Sequence, residues 1–407
     1  LSQTAPPSSV ALNRVVLNST LIVVAQSTQA IAVGAIALFL PLIRTDLAIS
    51  FTQAGMLAAV ATLSYALMQI PSGILADRFS PKKLFAVGIL GANVLAIAFA
   101  LSDSFTMMLV IQAVAGVFRA LMFIPGMILI ARHFSLERRA TALGLFVAGG
   151  FSSNIVINLV GPLLVGPLGW QGIIVVSSVL GLAVLAAFWV WADDGPAHTR
   201  KRAEKVSTRW VWSTPAWWLL GMIQFSRLSI VLGFGFWLPA FLIVERRLPL
   251  EVAGVIVAIS AAITAPANIG GGWFSDRIKR PIFVIGLSLA SLSILLASLN
   301  VISSLPILLS VIAIISVFIQ LYFGPLFAVP SRYFGAALAG LSSGFGNFCA
   351  NIGGFIASLL LGVLRDVTGS FGVGFLLLGI IAAVGFAATV TLSRIPIASG
   401  RAATFTR

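Results

Sequence analysis

Only 11 of the 407 residues are acidic, two are histidine and one is cysteine, and each scarcity removes a class of protein. The single Cys349 can close no intrachain disulfide and can build no cysteine-rich metal site. Both histidines, His133 and His198, fall in short hydrophilic intervals, so none is placed to serve as a base or metal ligand within the apolar bulk. Charged residues make up 9% of the chain, against about 25% in a soluble domain. No GxxxxGK[ST] segment occurs, which argues against a phosphate-binding loop and ATP-driven transport. These gaps leave no catalytic constellation: the chain reads as a non-enzyme that needs no cofactor.

What is abundant is apolar surface. Apolar residues form 59% of the chain and the mean hydropathy is +1.09, so the solvent around most of it is lipid. At about 20 residues per crossing, roughly 240 apolar residues suffice for about twelve helices. Long apolar runs broken by Gly, Pro or charge lie near 17–43, 52–75, 83–102, 105–131, 140–165, 170–192, 214–243, 252–274, 281–300, 305–330, 337–363 and 371–393. Their faces are apolar all round, as lipid-embedded helices require. The longest hydrophilic interval, Asp193 to Arg209, separates six runs from six. The expected organisation is an N-terminal six-helix half (1–192), a cytoplasmic linker (193–212) and a C-terminal six-helix half (213–407). The start of the chain lacks the basic region of a signal peptide, so the first span is expected to persist in the mature protein.

A net charge of +14 in a soluble protein would suggest nucleic acid, but here the cations sit between apolar runs. Nineteen Lys and Arg fall on one set of alternate loops and four (Arg44, Arg246, Arg247 and Arg365) on the other. By the positive-inside rule both termini are expected in the cytoplasm, in a bacterial-type inner membrane. Trp210, Trp212, Trp217 and Trp218 read as an interfacial aromatic belt.

The halves echo each other. Gly73-Ile-Leu-Ala-Asp77-Arg78-Phe-Ser-Pro-Lys82-Lys83 follows the second run, and Gly272-Trp-Phe-Ser-Asp276-Arg277-Ile-Lys279-Arg280 follows the eighth. Asn154, Asn158 and Gly161 in the fifth are matched by Asn347, Asn351 and Gly354 in the eleventh. Duplicated halves with substrate held near the midplane are a common transporter design.

The Gly73 to Lys83 segment resembles the loop signature of the major facilitator superfamily, with a weaker copy at Gly272 to Arg280. The resemblance covers essentially the whole chain and implies an all-α membrane fold of twelve helices in two pseudo-symmetric halves. Gly116-Val-Phe-Arg119-Ala120 with Pro125 and Glu137-Arg138, the segment Phe236-Trp237-Leu238-Pro239, and Gly346-Asn347 to Gly354 are similar to the anion:cation symporter branch, which handles organic anions. Relatives in that branch commonly carry a carboxylate where this chain has Arg119. The resemblance also implies that Asp77, Arg78 and Arg138, with Asp276 and Arg277, form a cytoplasmic latch stabilising the outward-open state.

Two cations remain once loop residues are set aside, Arg119 and Arg227. Each is central in its run, roughly 18 Å from the nearer interface at 1.5 Å per residue, beyond the reach of a snorkelling stem. All eleven acids fall in loops or at span ends, so an ion pair at the midplane is excluded. A structural clamp on backbone carbonyls is one alternative. The other is an anionic substrate, whose carboxylate matches the planar guanidinium fork. In the superfamily the first helix of each three-helix unit lines the cavity, which implies that Arg119 and Arg227 face substrate, one from each half. Gln29, Tyr65, Gln320, Tyr322, Asn347 and Asn351 are further candidate contacts, though such residues also join helices to each other.

The expected function is therefore secondary active transport of a small organic anion by alternating access. Coupling to a proton, sodium ion or counter-anion is open, and the expected oligomeric state is a monomer in the bilayer, without nucleic acid. The alternative is an exporter of lipophilic compounds, because Gly161-Pro162 and Gly166-Pro167 partly resemble an antiporter signature.

Overall fold

The computed structural model describes residues 9–134, 139–195 and 212–396, whose regular structure is helical throughout. In chain order the helices are α1 (Ser9–Leu38), α2 (Leu40–Asp46), α3 (Phe51–Arg78), α4 (Pro81–Ala100), α5 (Phe105–Arg132), α6 (Arg139–Trp191), α7 (Pro215–Ala240), α8 (Leu250–Ile278), α9 (Pro281–Ser298), α10 (Leu305–Leu321), α11 (Phe323–Thr368) and α12 (Gly372–Ser393). A short π-helical turn, Phe241–Glu245, extends α7.

Among the described residues, eleven stretches are long and apolar enough to cross a membrane. One of them, Ser152–Trp191, is 40 residues long. At 1.5 Å per residue it would measure roughly 60 Å, twice the hydrocarbon thickness. It is broken at Gly169, where φ is +66°, a left-handed conformation that glycine adopts without a Cβ clash. Two crossings follow from that break, and the chain is a twelve-helix membrane protein.

One boundary and one aromatic residue differ from the hydropathy reading. The first span ends at Leu38 rather than near residue 43, because Pro41 in the first turn of α2 lacks the N–H that would continue the ladder. The tenth and eleventh crossings, Leu305–Phe334 and Leu341–Thr368, part close to the expected 330–337 interval, and the tenth is additionally interrupted at Tyr322 (φ −98°, ψ 2°), just before Gly324-Pro325. Trp217 is no belt residue: it is fully buried and stacks on Phe345 with ring centroids 4.6 Å apart. Trp210 lies outside the described residues.

By packing, the chain forms two compact units, Leu1–Ile36 with Ser64–Arg200 and Ala37–Leu63 with Lys201–Arg407. In the first, Ile22, Phe85, Met122, Phe146 and Phe188 join α1, α4, α5 and α6 in one buried cluster. A Cβ on Gly88 would lie 2.9 Å from the Phe118 carbonyl oxygen, so α4 and α5 approach at van der Waals contact of their backbones, as small residues permit. Its N-terminal residues are tied down by acids: Asp194 accepts from Ser80 Oγ (2.8 Å) and from the Lys82 backbone N–H (3.0 Å). The Lys82 ammonium in turn donates to the Trp189 carbonyl at 2.9 Å.

In the second unit, Gly353 of α11 meets the Phe225 carbonyl of α7, and Gly271 of α8 meets the Leu321 carbonyl at the end of α10. Gly271 thereby lets α8 close on the Tyr322 break. Two carboxylates cap helices from a distance. Asp366 accepts from the backbone N–H groups of Phe51 (3.0 Å) and Thr52 (2.6 Å) at the start of α3. Glu245 accepts from Phe371 N–H and Ser370 Oγ, both at 2.7 Å, at the start of α12. Each fills donors that a helix N-terminus leaves orphaned and opposes its positive dipole end.

Candidate functional site

Arg119 stands in the middle of α5, 14 residues from its start, and is half-buried. Its nearest electrostatic partner is the Tyr65 hydroxyl of α3, which also shares a hydrogen bond with Gln69. The Tyr65 ring meets Phe123 edge-on at 6.5 Å. Beside Arg119 is a small cavity of about 30 Å³ whose polar lining is Thr28, Gln29, Asn93 and Gln112, the size that holds one water or one small polar group. Arg119 Nε is buried and meets no hydrogen-bond acceptor among the described residues.

Arg227 occupies the corresponding depth of α7, 12 residues from its start, and is 6% exposed. Its Nε donates to Gln224 Oε1 at 2.9 Å. The guanidinium carbon lies 5.3 Å from the Phe323 ring centroid and 5.8 Å from that of Phe327, within cation–π range. Tyr322 is its electrostatic neighbour. The Tyr322 hydroxyl and Gln320 Oε1 are both buried without a described partner. The helix is interrupted at Tyr322, and irregular backbone at membrane depth is tolerated only where protein or a polar cavity encloses it. No carboxylate lies within ion-pair distance of either arginine among the described residues; the ion pair described is His133–Asp193.

Each unit thus brings together an arginine and a tyrosine at mid-helix: Arg119 with Tyr65 and Gln29, Arg227 with Tyr322. The asparagines are placed differently. Asn351 Nδ2 donates to the Asn347 carbonyl at 2.8 Å and Asn158 Nδ2 to the Asn154 carbonyl at 2.7 Å, so one of the two amide protons of each is already bonded to its own helix. Asn351 is buried. Gln224, Phe323, Phe327, Gln112, Thr28 and Asn93 were not foreseen as neighbours of the arginines. Helical spacing could have found two, since Gln224 precedes Arg227 by three residues and Gln112 precedes Arg119 by seven, on one face in each case.

Of the expected latch, Arg78 ends α3, and Asp276 and Arg277 lie near the end of α8, all three exposed. Arg138 and the side chain of Asp77 lie outside the described residues. Asp193 shows what the acids on this side do. It accepts from His133 Nε2 at 2.8 Å when that nitrogen carries a proton, from Gly195 N–H at 2.9 Å and from Asn18 Nδ2 at 3.3 Å. Burial raises its carboxyl pKa, but these donors together outweigh burial and hold it below the ordinary carboxylate value.

Comparison with known proteins agrees with this architecture. The family model described as Major Facilitator Superfamily matches residues 22–358. The hexuronate transporter of Bacillus subtilis (strain 168) is 23% identical over 381 residues, covering 89% of this chain and 90% of that protein. The tetracenomycin C resistance and export protein of Streptomyces glaucescens is 29% identical over 190 residues, covering 46% of this chain and 35% of that protein. Among solved structures, a bacterial homologue of the human lysosomal transporter Spinster, in an inward-facing and occupied conformation, superposes with a TM-score of 0.79 at 16% identity. It covers 92% of this chain and 96% of that one.

Proposed function

Because the chain belongs to the Major Facilitator Superfamily, whose members are membrane transporters and not enzymes, we propose that it is a secondary active carrier of a small organic anion, a carboxylate. In this reading Arg119 and Arg227 are its two cationic contacts in an alternating-access cycle. The observation that carries the reading is a pair of mid-helix guanidiniums with no carboxylate within ion-pair distance among the described residues. Burying such cations costs about 2.5–3.5 kcal/mol each on insertion scales, and an arriving carboxylate offsets that cost through charge-assisted, bidentate hydrogen bonds. Tyr65, Gln29, Tyr322 and Gln320 supply neutral hydrogen bonds, and Asn347 and Asn351 the remaining amide donors. The whole-length likeness to a hexuronate transporter supports an organic acid as the cargo.

Coupling follows from the same charges. Two fixed cations make the empty carrier costlier to turn over than the loaded one, which favours anion exchange, or co-transport in which the substrate brings its balancing cation. Glu245 and Asp366 are held as helix caps. The membrane is the bacterial inner membrane, with both termini cytoplasmic as the excess of Lys and Arg on alternate loops implies, and the working unit is a monomer. Asp77 with Arg78 and Arg138, and Asp276 with Arg277, act as the cytoplasmic latch.

The test is uptake into proteoliposomes. Vesicles preloaded with unlabelled carboxylate should take up labelled carboxylate faster than empty ones, with little response to an imposed pH gradient. Accumulation into empty vesicles on a pH gradient alone would refute exchange, and normal transport by both Arg119→Ala and Arg227→Ala would refute the anion site. A second reading, export of lipophilic compounds, is favoured by the partial likeness to the tetracenomycin C exporter; under it the two alanine variants keep full export.

A further inference from the structure

A groove in the second unit has neither Arg119 nor Arg227 among its lining residues. It has a volume of about 730 Å³ and is lined from the start of α9, the end of α12, and Arg332 and Tyr333 of α11. Its chemistry is divided. The residues that precede α9 and Arg332 of α11 give it three cations, Lys279, Arg280 and Arg332, all exposed, and no acid is among the lining residues. The rest is apolar, with Phe283 55% and Phe386 38% exposed. The hydroxyls nearby are already bonded internally: Tyr333 donates to the Leu392 carbonyl at 2.8 Å and Thr389 to the Gly385 carbonyl at 2.8 Å. Recognition of a guest at the polar end is left to the cations.

From Pro281 to Ala290, both lining residues, the groove follows α9 for nine residues, roughly 14 Å of depth at 1.5 Å per residue. A soluble anion has no use for that apolar length, and an electroneutral hydrophobe has none for three cations. We propose that this groove is a binding site for one anionic phospholipid, its phosphodiester held by Lys279, Arg280 and Arg332 and an acyl chain laid against Phe283, Leu287 and Phe386. Basic pockets between membrane helices suit anionic headgroups, and each Lys or Arg near the surface contributes about 1 kcal/mol. The start of α9 at Pro281 puts a helix N-terminus at the cationic rim, which favours negative charge there. The proposal is independent of the substrate site and of which leaflet the loop faces.

The test uses the purified full-length chain in neutral detergent. Dioleoylphosphatidylglycerol should raise the thermal midpoint of the wild type, whereas dioleoylphosphatidylcholine and inorganic phosphate should not. In Arg280→Gln/Arg332→Gln the apparent affinity for phosphatidylglycerol should fall about 30-fold. Gly286→Leu should abolish the response by filling the groove, since a Cβ at Gly286 already lies 3.6 Å from Thr389. Lys83→Gln, which removes an exposed cation elsewhere on the chain, should leave it intact. Native mass spectrometry of the wild type needs no variant and should show one retained phosphatidylglycerol. The proposal is overturned if phosphate alone reproduces the shift, if the double variant responds as the wild type does, or if no lipid is retained.

Discussion

Arg119 and Arg227 each stand at the middle of a helix in their own unit, yet one is built in and the other is left open. Arg227 is bonded to Gln224, faced by Phe323 and Phe327, and enclosed at a helix interruption. Arg119 has a tyrosine for company, a small polar cavity at its side and a buried Nε without an acceptor. The difference teaches that a mid-helix cation can be bonded into the fold in one place and left without a hydrogen-bonded partner in another. Arg227 is part of its unit's packing as well as a candidate contact, whereas Arg119 has no structural partner that explains its cost.

The largest effect expected from this contrast is on transport by Arg119→Ala: initial uptake should fall roughly 100-fold or more with loss of a charge-assisted pair. Its thermal midpoint should not fall, because the half-buried guanidinium removed has a buried Nε without an acceptor. Arg227→Ala should lose uptake as well and also be destabilised by about 1–3 kcal/mol, from the orphaned Gln224 oxygen and the lost ring contacts. Equal thermal shifts in the two variants would break the comparison. Asp366→Ala should cost about 1 kcal/mol by uncapping α3, as helix N-caps do, and Asp366→Asn less, since an amide oxygen still accepts; denaturation followed by tryptophan fluorescence reads both. The smallest effect concerns acid. The Asp193 carboxyl has a folded-state pKa below its unfolded value, so its contribution is present above the ordinary carboxylate pKa of about 3.9 and is lost as pH falls through the lower folded value. Asp193→Asn should therefore lower stability at neutral pH, converge on the wild type once the carboxyl is protonated in both the folded and unfolded states, and flatten the acid end of the stability profile below about pH 4; an unaltered acid limb would remove Asp193 from the account.

Much of the fold was legible because lipid imposes length and apolarity on every crossing. The division into six and six runs, the paired loop signatures and the isolation of two arginines all come from composition and spacing. The misjudged elements share a cause: hydropathy averages over a window and sees no dihedral angle. Pro41 ends the first helix early and the Tyr322 interruption divides the tenth run without changing local hydropathy, whereas the break at Gly169 falls between the runs expected to end at 165 and begin at 170. Trp217 looked interfacial because four tryptophans cluster near a span end, but Phe345, 128 positions later, covers its face. Of the candidate site, the arginines were readable from charge alone. Phe323 and Phe327 were not, since aromatic residues in an apolar run carry no mark that says which cation they face.

The clasp between Asp366 and the start of α3 has a consequence for how such proteins diverge. The carboxylate grips two main-chain N–H groups, and every residue except proline offers one. Position 51 can therefore drift in side chain while its half of the clasp persists, whereas the Thr52 and Ser50 side chains also bond the carboxylate and are the places where a substitution at 366 could leave a matching trace. Replacing Thr52 with proline would remove one of the two main-chain donors together with the Thr52 hydroxyl, and leave the clasp to the Phe51 N–H and the Ser50 side chain.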